Sequence, residues 1–181
     1  MSNLQFNTPR GEIQWATING QGKTDLQGRH IYTVDLVCDP EDAQPLIDDL
    51  ENLWEENKPK GAKAPKSMGY KTDADGKVRF TLKTSTTYPS GDQKEIKVYD
   101  AKANLVRLED KIGNGSIGKA SGMAAVYDAG VAARGVTLYL DAVQVIKLIK
   151  YVGAAASFEA EADGDFDGSE ANDGFVAEEL V

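Results

Sequence analysis

One cysteine, one histidine and no long apolar run set the first limits on this chain. Cys38 alone permits neither an intrachain disulfide nor a Cys-based metal cluster, which fits a reducing compartment. His30, the sole histidine, excludes His-based catalytic triads and multi-histidine metal sites. No apolar stretch approaches the ~20 residues that span a bilayer, and the polar opening MSNLQFNTPRGE holds no signal-peptide core. A soluble, non-secreted protein is therefore expected. Bases are absent from the last stretch, EAEADGDFDGSEANDGFVAEELV, which carries nine carboxylates.

What is present is unevenly distributed. The net charge of −9 belongs entirely to that final stretch, because residues 1–157 carry 20 basic and 20 acidic side chains. Within the body, residues 39–57 contain eight acids and no base, whereas residues 58–111 contain 13 bases against seven acids. The middle of the chain is thus suited to an anionic partner.

Strands dominate the periodicity. Residues 30–38, HIYTVDLVC, are rich in β-branched side chains, and residues 77–83, KVRFTLK, alternate strictly between apolar and polar. Residues 94–99 and 135–151 also read as strands, the last long enough to bend or carry a bulge near Asp141 and Ala142. One amphipathic helix is expected over 41–57, with Leu46, Ile47, Leu50, Leu53 and Trp54 on one stripe. The Lys/Gly/Pro-rich segment KPKGAKAPKSMGYK follows as an exposed loop. Spaced turns, several strands and one helix predict a mainly β protein built on a small antiparallel barrel. From about Ala154 the periodicity ends, and small and acidic residues predict disorder. The expected division is a domain over 1–153 and an acidic tail over 154–181.

Two catalytic or metal motifs are approached and missed. Asp163, Asp165, Asp167 and Gly168 open like a calcium loop, but the position for its bidentate Glu is Gly174. Residues 113–120, GNGSIGKA, satisfy G-x-x-x-x-G-K, yet Ala120 stands where a phosphate loop needs a hydroxyl. The following SGMAAVYDAG reads as strand and turn rather than helix. No catalytic constellation, metal site or cofactor is expected.

The positive face of KVRFTLK carries the strongest signal. It places Lys77, Arg79 and Lys83 together, Lys97 and Tyr99 share one side of a later strand, and Tyr70, Lys71 and Tyr88 flank the region. Cations that track phosphates and aromatics that stack on bases are what single-strand binding requires. A charged outer face that is merely solvated fits the same pattern. Trp15, near a strand start, is read as a core residue in preference to a stacking platform. Arg107 and Lys119 complete the candidate DNA contacts.

The order of segments resembles one family. TPRGEIQW, the Tyr-x-Val-x-Leu strand in HIYTVDLV, the acidic helix, the basic loop ending in Tyr70, VYDAK, and IGNGSIGKASGMAAVYDAG leading into GVTLYLDAVQVIKL together look like the tailed-bacteriophage single-stranded DNA-binding proteins. The resemblance implies an OB-fold five-stranded barrel with an acidic C-terminal tail and no catalytic activity. It implies coating and protection of single-stranded DNA in phage replication and recombination, in the cytoplasm of the infected bacterium. The resemblance also implies that the tail recruits a polymerase or helicase; its tethered carboxylates, which mimic phosphates, are separately expected to compete with DNA for the cationic surface, with Asp163, Asp165, Phe166, Asp167, Phe175, Glu178, Glu179 and Leu180 as the tail's contact residues. A homodimer is a further expectation. The rival reading is a phage-encoded interaction module, a DNA mimic or host inhibitor, acting through its acidic surfaces.

Overall fold

Burial alternates along Val78–Ser85 and Ser116–Asp128, and the pairings between the long strands close on themselves. The computed structural model describes residues 2–151. Chain order is β1 (Leu4–Asn7), β2 (Gly11–Thr17), β3 (Lys23–Thr24), β4 (His30–Cys38), α1 (Pro40–Asn57), β5 (Tyr70–Thr72), β6 (Val78–Ser85), β7 (Lys97–Tyr99), β8 (Leu105–Val106), β9 (Ser116–Asp128) and β10 (Arg134–Lys147). Strand β2 pairs with β4, β4 with β6, β6 with β10, β10 with β9, and β9 again with β2. These five strands form a ring, antiparallel except for the β6–β10 pair. That ring is the expected OB-type barrel, and the short strands extend or cover its edges.

The barrel is filled from one side of each strand. Ile13, Val34, Leu36, Phe80, Leu82, Ala124, Val136, Leu138, Leu140 and Val143 are buried inward. Between them on β6, Thr81, Lys83 and Ser85 face out, as KVRFTLK implies. Cys38 ends β4 in this core, where burial pushes its thiol up to about 12.

Helix α1 begins one residue earlier than its periodicity suggests, with Pro40 in the first turn and Glu41 and Asp42 favourably placed at the positive helix end. Its buried stripe, Ala43, Leu46, Ile47, Leu50, Leu53 and Trp54, rests on β9 and β10. The helix stops where Lys58 donates its N–H to the Trp54 carbonyl, just before Pro59.

Strand β10 bulges between Leu140 and Ala142, at the expected position. The strand expected over 94–99 is shorter: only Lys97–Tyr99 pairs, because Lys94 donates its backbone N–H to Thr86 to close the turn around Tyr88. GNGS is a turn entering β9, so no helix follows the glycines and the phosphate-loop geometry is absent there. None of the helices described is long and apolar enough to cross a membrane.

Candidate nucleic-acid interface

Alternation in β7 sends Val98, and Ile96 just before it, toward the protein while Lys97 points away, and this creates a groove with an apolar floor and a charged rim. The groove, about 1020 Å³, lies between Ala16–Gly20, Tyr32 and the segments 93–98 and 105–112. Ile18, Tyr32, Ile96, Val98 and Ile112 supply buried apolar surface, and Tyr32 is fixed by donating its hydroxyl to the Gly20 carbonyl at 3.0 Å. Lys94, Lys97, Arg107 and Lys111 stand around it, with Glu95, Glu109 and Asp110 interspersed. Lys94 donates to Thr84 Oγ1 at 2.9 Å and lies 5.2 Å from the centre of the exposed Tyr88 ring. Lys111 lies 5.8 Å from the centre of the Tyr151 ring. Among the described residues, Lys97, Arg107 and Lys111 take part in no ion pair.

Trp15 stands beside this groove and overturns its reading as a core residue. Regular alternation from Ile13, which is fully buried, would turn Trp15 inward as well. Instead, Gln14 pairs with Asp35 and Thr17 with Thr33, so β2 carries one residue more than its partner and bulges. Within the bulge Trp15 adopts φ 53°, a left-handed conformation that is a genuine outlier for a bulky side chain. Its N–H donates to Asn114 Oδ1 at 2.8 Å, and its side chain is 64% exposed. Trp54, the other tryptophan, is buried on α1.

The ten contact residues expected from the sequence are divided by the fold. Lys97 and Arg107 line the groove, and Tyr88 flanks it through Lys94. Lys83 is exposed on the barrel wall, in register with Thr33 on one side and the 45% exposed Tyr139 on the other. Lys119 and the half-buried Tyr99 both pair with Gln144, from opposite edges of β10.

The other four lie on β5, on β6 and just before it, and acids meet three of them. Arg79 bonds to Asp35 at 2.9 Å, Asp73 at 3.1 Å and Gln14 at 2.8 Å, and its side chain is only 16% exposed. Burial works to lower its pKa, but the hydrogen bonds to Asp73 and Asp35 outweigh burial and raise it. Lys77 lies 3.3 Å from Asp39. Tyr70 tilts against Phe80 and donates to Glu51 at 3.3 Å; burial first, then Glu51, pushes its hydroxyl above the usual range. Lys71 is exposed opposite Arg79.

Sequence reasoning weighed Trp15 and placed it in the core, and it passed over Lys94, Lys111 and Tyr139. Tyr139 was visible in the alternation of GVTLYLD, whereas nothing local marks the bulge that exposes Trp15. The tail residues Asp163, Asp165, Phe166, Asp167, Phe175, Glu178, Glu179 and Leu180, and the calcium-loop look-alike, lie outside the described residues.

No protein-family model and no curated protein matches the chain. Solved structures do. One is gp2.5, a single-stranded DNA-binding protein encoded by bacteriophage T7, 22% identical, with a TM-score of 0.66 over 92% of this chain and 100% of that one. Another is the single-stranded DNA-binding protein of bacteriophage Enc34 in complex with single-stranded DNA, 14% identical, with a TM-score of 0.60 over 82% of this chain and 89% of that one. The same Enc34 protein with its C-terminus truncated is similar at 12% identity and a TM-score of 0.61, over 79% of this chain and 85% of that one. The chain therefore shares its fold with these phage proteins over 79–92% of its length.

Proposed function

We propose that this protein binds single-stranded DNA without catalysis and coats it during phage replication and recombination. The observation that carries the reading is Trp15, a large aromatic held outward in an unfavourable backbone conformation, next in the chain to Ala16, which lines a groove rimmed by cations. A left-handed non-glycine residue costs about 1–3 kcal/mol, and such strain persists where function uses it. Stacking of bases on exposed aromatics contributes about 1–3 kcal/mol per base and tolerates any sequence. Lys94, Lys97, Arg107 and Lys111 track phosphates along the groove, and Lys83 with Tyr139 extends the path on the barrel wall. The shared fold with phage proteins, one solved with single-stranded DNA, supports the same reading.

The acidic tail acts as a tethered competitor. Tethering to the same chain gives it an effective concentration of order mM, and in this reading its carboxylates compete for the cationic groove until DNA displaces them. Once free, it recruits a replication partner such as a polymerase or helicase.

Titration with oligo-dT, followed by tryptophan fluorescence, tests the interface. Trp15 is exposed and Trp54 buried, so binding quenches only part of the emission, and Trp15→Ala abolishes the quench. The same substitution weakens binding tenfold or more, equivalent to about 1.4 kcal/mol or more of lost stacking. An unquenched Trp15 together with unchanged affinity in Trp15→Ala removes this surface from the interface.

A further inference from the structure

The four residues Gly113–Ser116 form a turn that is tied to two other parts of the molecule, β2 and the segment 149–151. Gly113 donates its N–H to the Ile149 carbonyl at 2.7 Å, and Gly115 donates to the Ile13 carbonyl at 3.2 Å. The fully buried Ser116 hydroxyl accepts from the Ile149 N–H at 2.8 Å and lies 2.8 Å from the Gly113 carbonyl, to which it donates. Ile112 bridges to Lys150, and Tyr151 donates its N–H to the Lys111 carbonyl at 3.1 Å. A Cβ on Gly113 would come within 2.7 Å of the Ile149 carbonyl, so the close approach itself requires glycine.

The rigidity of this turn fixes one exposed side chain, Asn114. Its amide oxygen accepts the Trp15 N–H across 99 residues of sequence. That N–H has left the β2–β4 ladder at the bulge, where Gln14 and Thr17 are the flanking paired residues. With no acceptor waiting, the backbone at residue 15 would be free to relax to an extended conformation, and regular alternation would then turn the indole inward beside Ile13.

We propose that Asn114 is a positioning residue for the DNA-binding surface: its side-chain oxygen, anchored by the Gly113–Ser116 turn, holds Trp15 in the left-handed conformation that presents the indole to a base. This rests on the single-stranded DNA reading for its consequence, but the positioning itself is measurable without DNA. The same segment that mimics a phosphate loop in sequence thereby acquires a different task, in which Asn114 supports a stacking platform.

The test combines acrylamide quenching of the free protein with a double-mutant cycle on oligo-dT, using the full chain. Asn114→Ala lowers the accessibility of Trp15 and shifts its emission to the blue, with Trp54 as the buried reference. Asn114→Asp keeps an acceptor oxygen and keeps the accessibility of the parent. Asn114→Ala weakens oligo-dT binding by about five- to tenfold, consistent with the loss of one hydrogen bond, yet adds no further loss on top of Trp15→Ala. Unchanged accessibility in Asn114→Ala overturns the positioning role regardless of DNA. An equal loss of affinity on the parent background and on the Trp15→Ala background overturns it as well, since Asn114 would then act on DNA independently of the indole. If instead Trp15→Ala binds as the parent does while Asn114→Ala still alters accessibility, positioning stands and the stacking reading fails. Thermal unfolding by circular dichroism accompanies each variant, and Asn114→Ser replaces Asn114→Ala if the latter melts early.

Discussion

Arg79 shows how a cation's neighbours decide its role. Its guanidinium fork is used by Asp35, Asp73 and Gln14, and these contacts link β2, β4, β6 and the turn before β6 on the outside of the barrel. Removing one partner of a fully buried ion pair costs about 3–5 kcal/mol, and the partial exposure here reduces that to about 1–3 kcal/mol. Arg79→Ala is therefore expected to lower the stability read from urea unfolding by that amount while leaving the salt dependence of oligo-dT binding intact. Arg79→Lys recovers little stability, because an ammonium cannot reproduce the fork. Lys83 is its opposite on the same face: exposed, beside Tyr139, and without an acidic partner among the described residues. Lys83→Ala should leave the urea midpoint nearly unchanged and reduce the slope of log affinity against log salt by about 0.7. A flattened slope in Arg79→Ala with unchanged stability would reverse the two assignments.

The long hairpin of β9 and β10 governs the barrel's shape through glycines that admit another strand's carbonyl. A Cβ at Gly122 would overlap the Tyr139 carbonyl beside the bulge at Leu140 and Ala142, and one at Gly118 would overlap the Gln144 carbonyl. Neither overlap can be relieved by a side-chain rotation, since the atom met is backbone. Gly122→Ala is expected to destabilise the protein by about 2–3 kcal/mol, at the upper end of overpacking effects, visible as a fall of the thermal midpoint. A midpoint indistinguishable from the parent's would mean that β9 and β10 separate there at little cost. Much of this element was legible beforehand: burial alternation in KVRFTLK and GVTLYLD, the helix stripe ending at Trp54, and the bulge near Asp141 all follow from local period and length. Contacts between distant segments were not. Period 2 assigned Arg79 to an outward face but could not bring Asp35 to it from 44 residues away, and it turned Trp15 inward because one extra residue in β2 reverses every side chain that follows. The groove was invisible for the same reason, since its floor and rim come from β2, β4 and the crossing between β6 and β9.

At the scale of the whole molecule, charge is divided along the chain in a way that no single surface reveals. Residues 1–157 balance 20 bases against 20 acids, and the final stretch adds nine acids without a base. A body of zero net charge has little long-range attraction for DNA, so the proposed binding relies on local concentrations such as Lys94, Lys97, Arg107 and Lys111. On the proposed reading, the nine tethered carboxylates contend with DNA for those few cations. A chain ending at Tyr151 is therefore expected to bind oligo-dT several-fold more tightly than the full chain at about 50 mM salt. The advantage should shrink as salt rises and vanish near 1 M, where the screening length is only about 3 Å. Anisotropy measured on both chains across one salt series tests this directly, because a tail that competes electrostatically makes the two affinities converge. Parallel lines, with a constant ratio at every salt concentration, would place the tail's effect outside electrostatic competition and return the cationic groove to DNA alone.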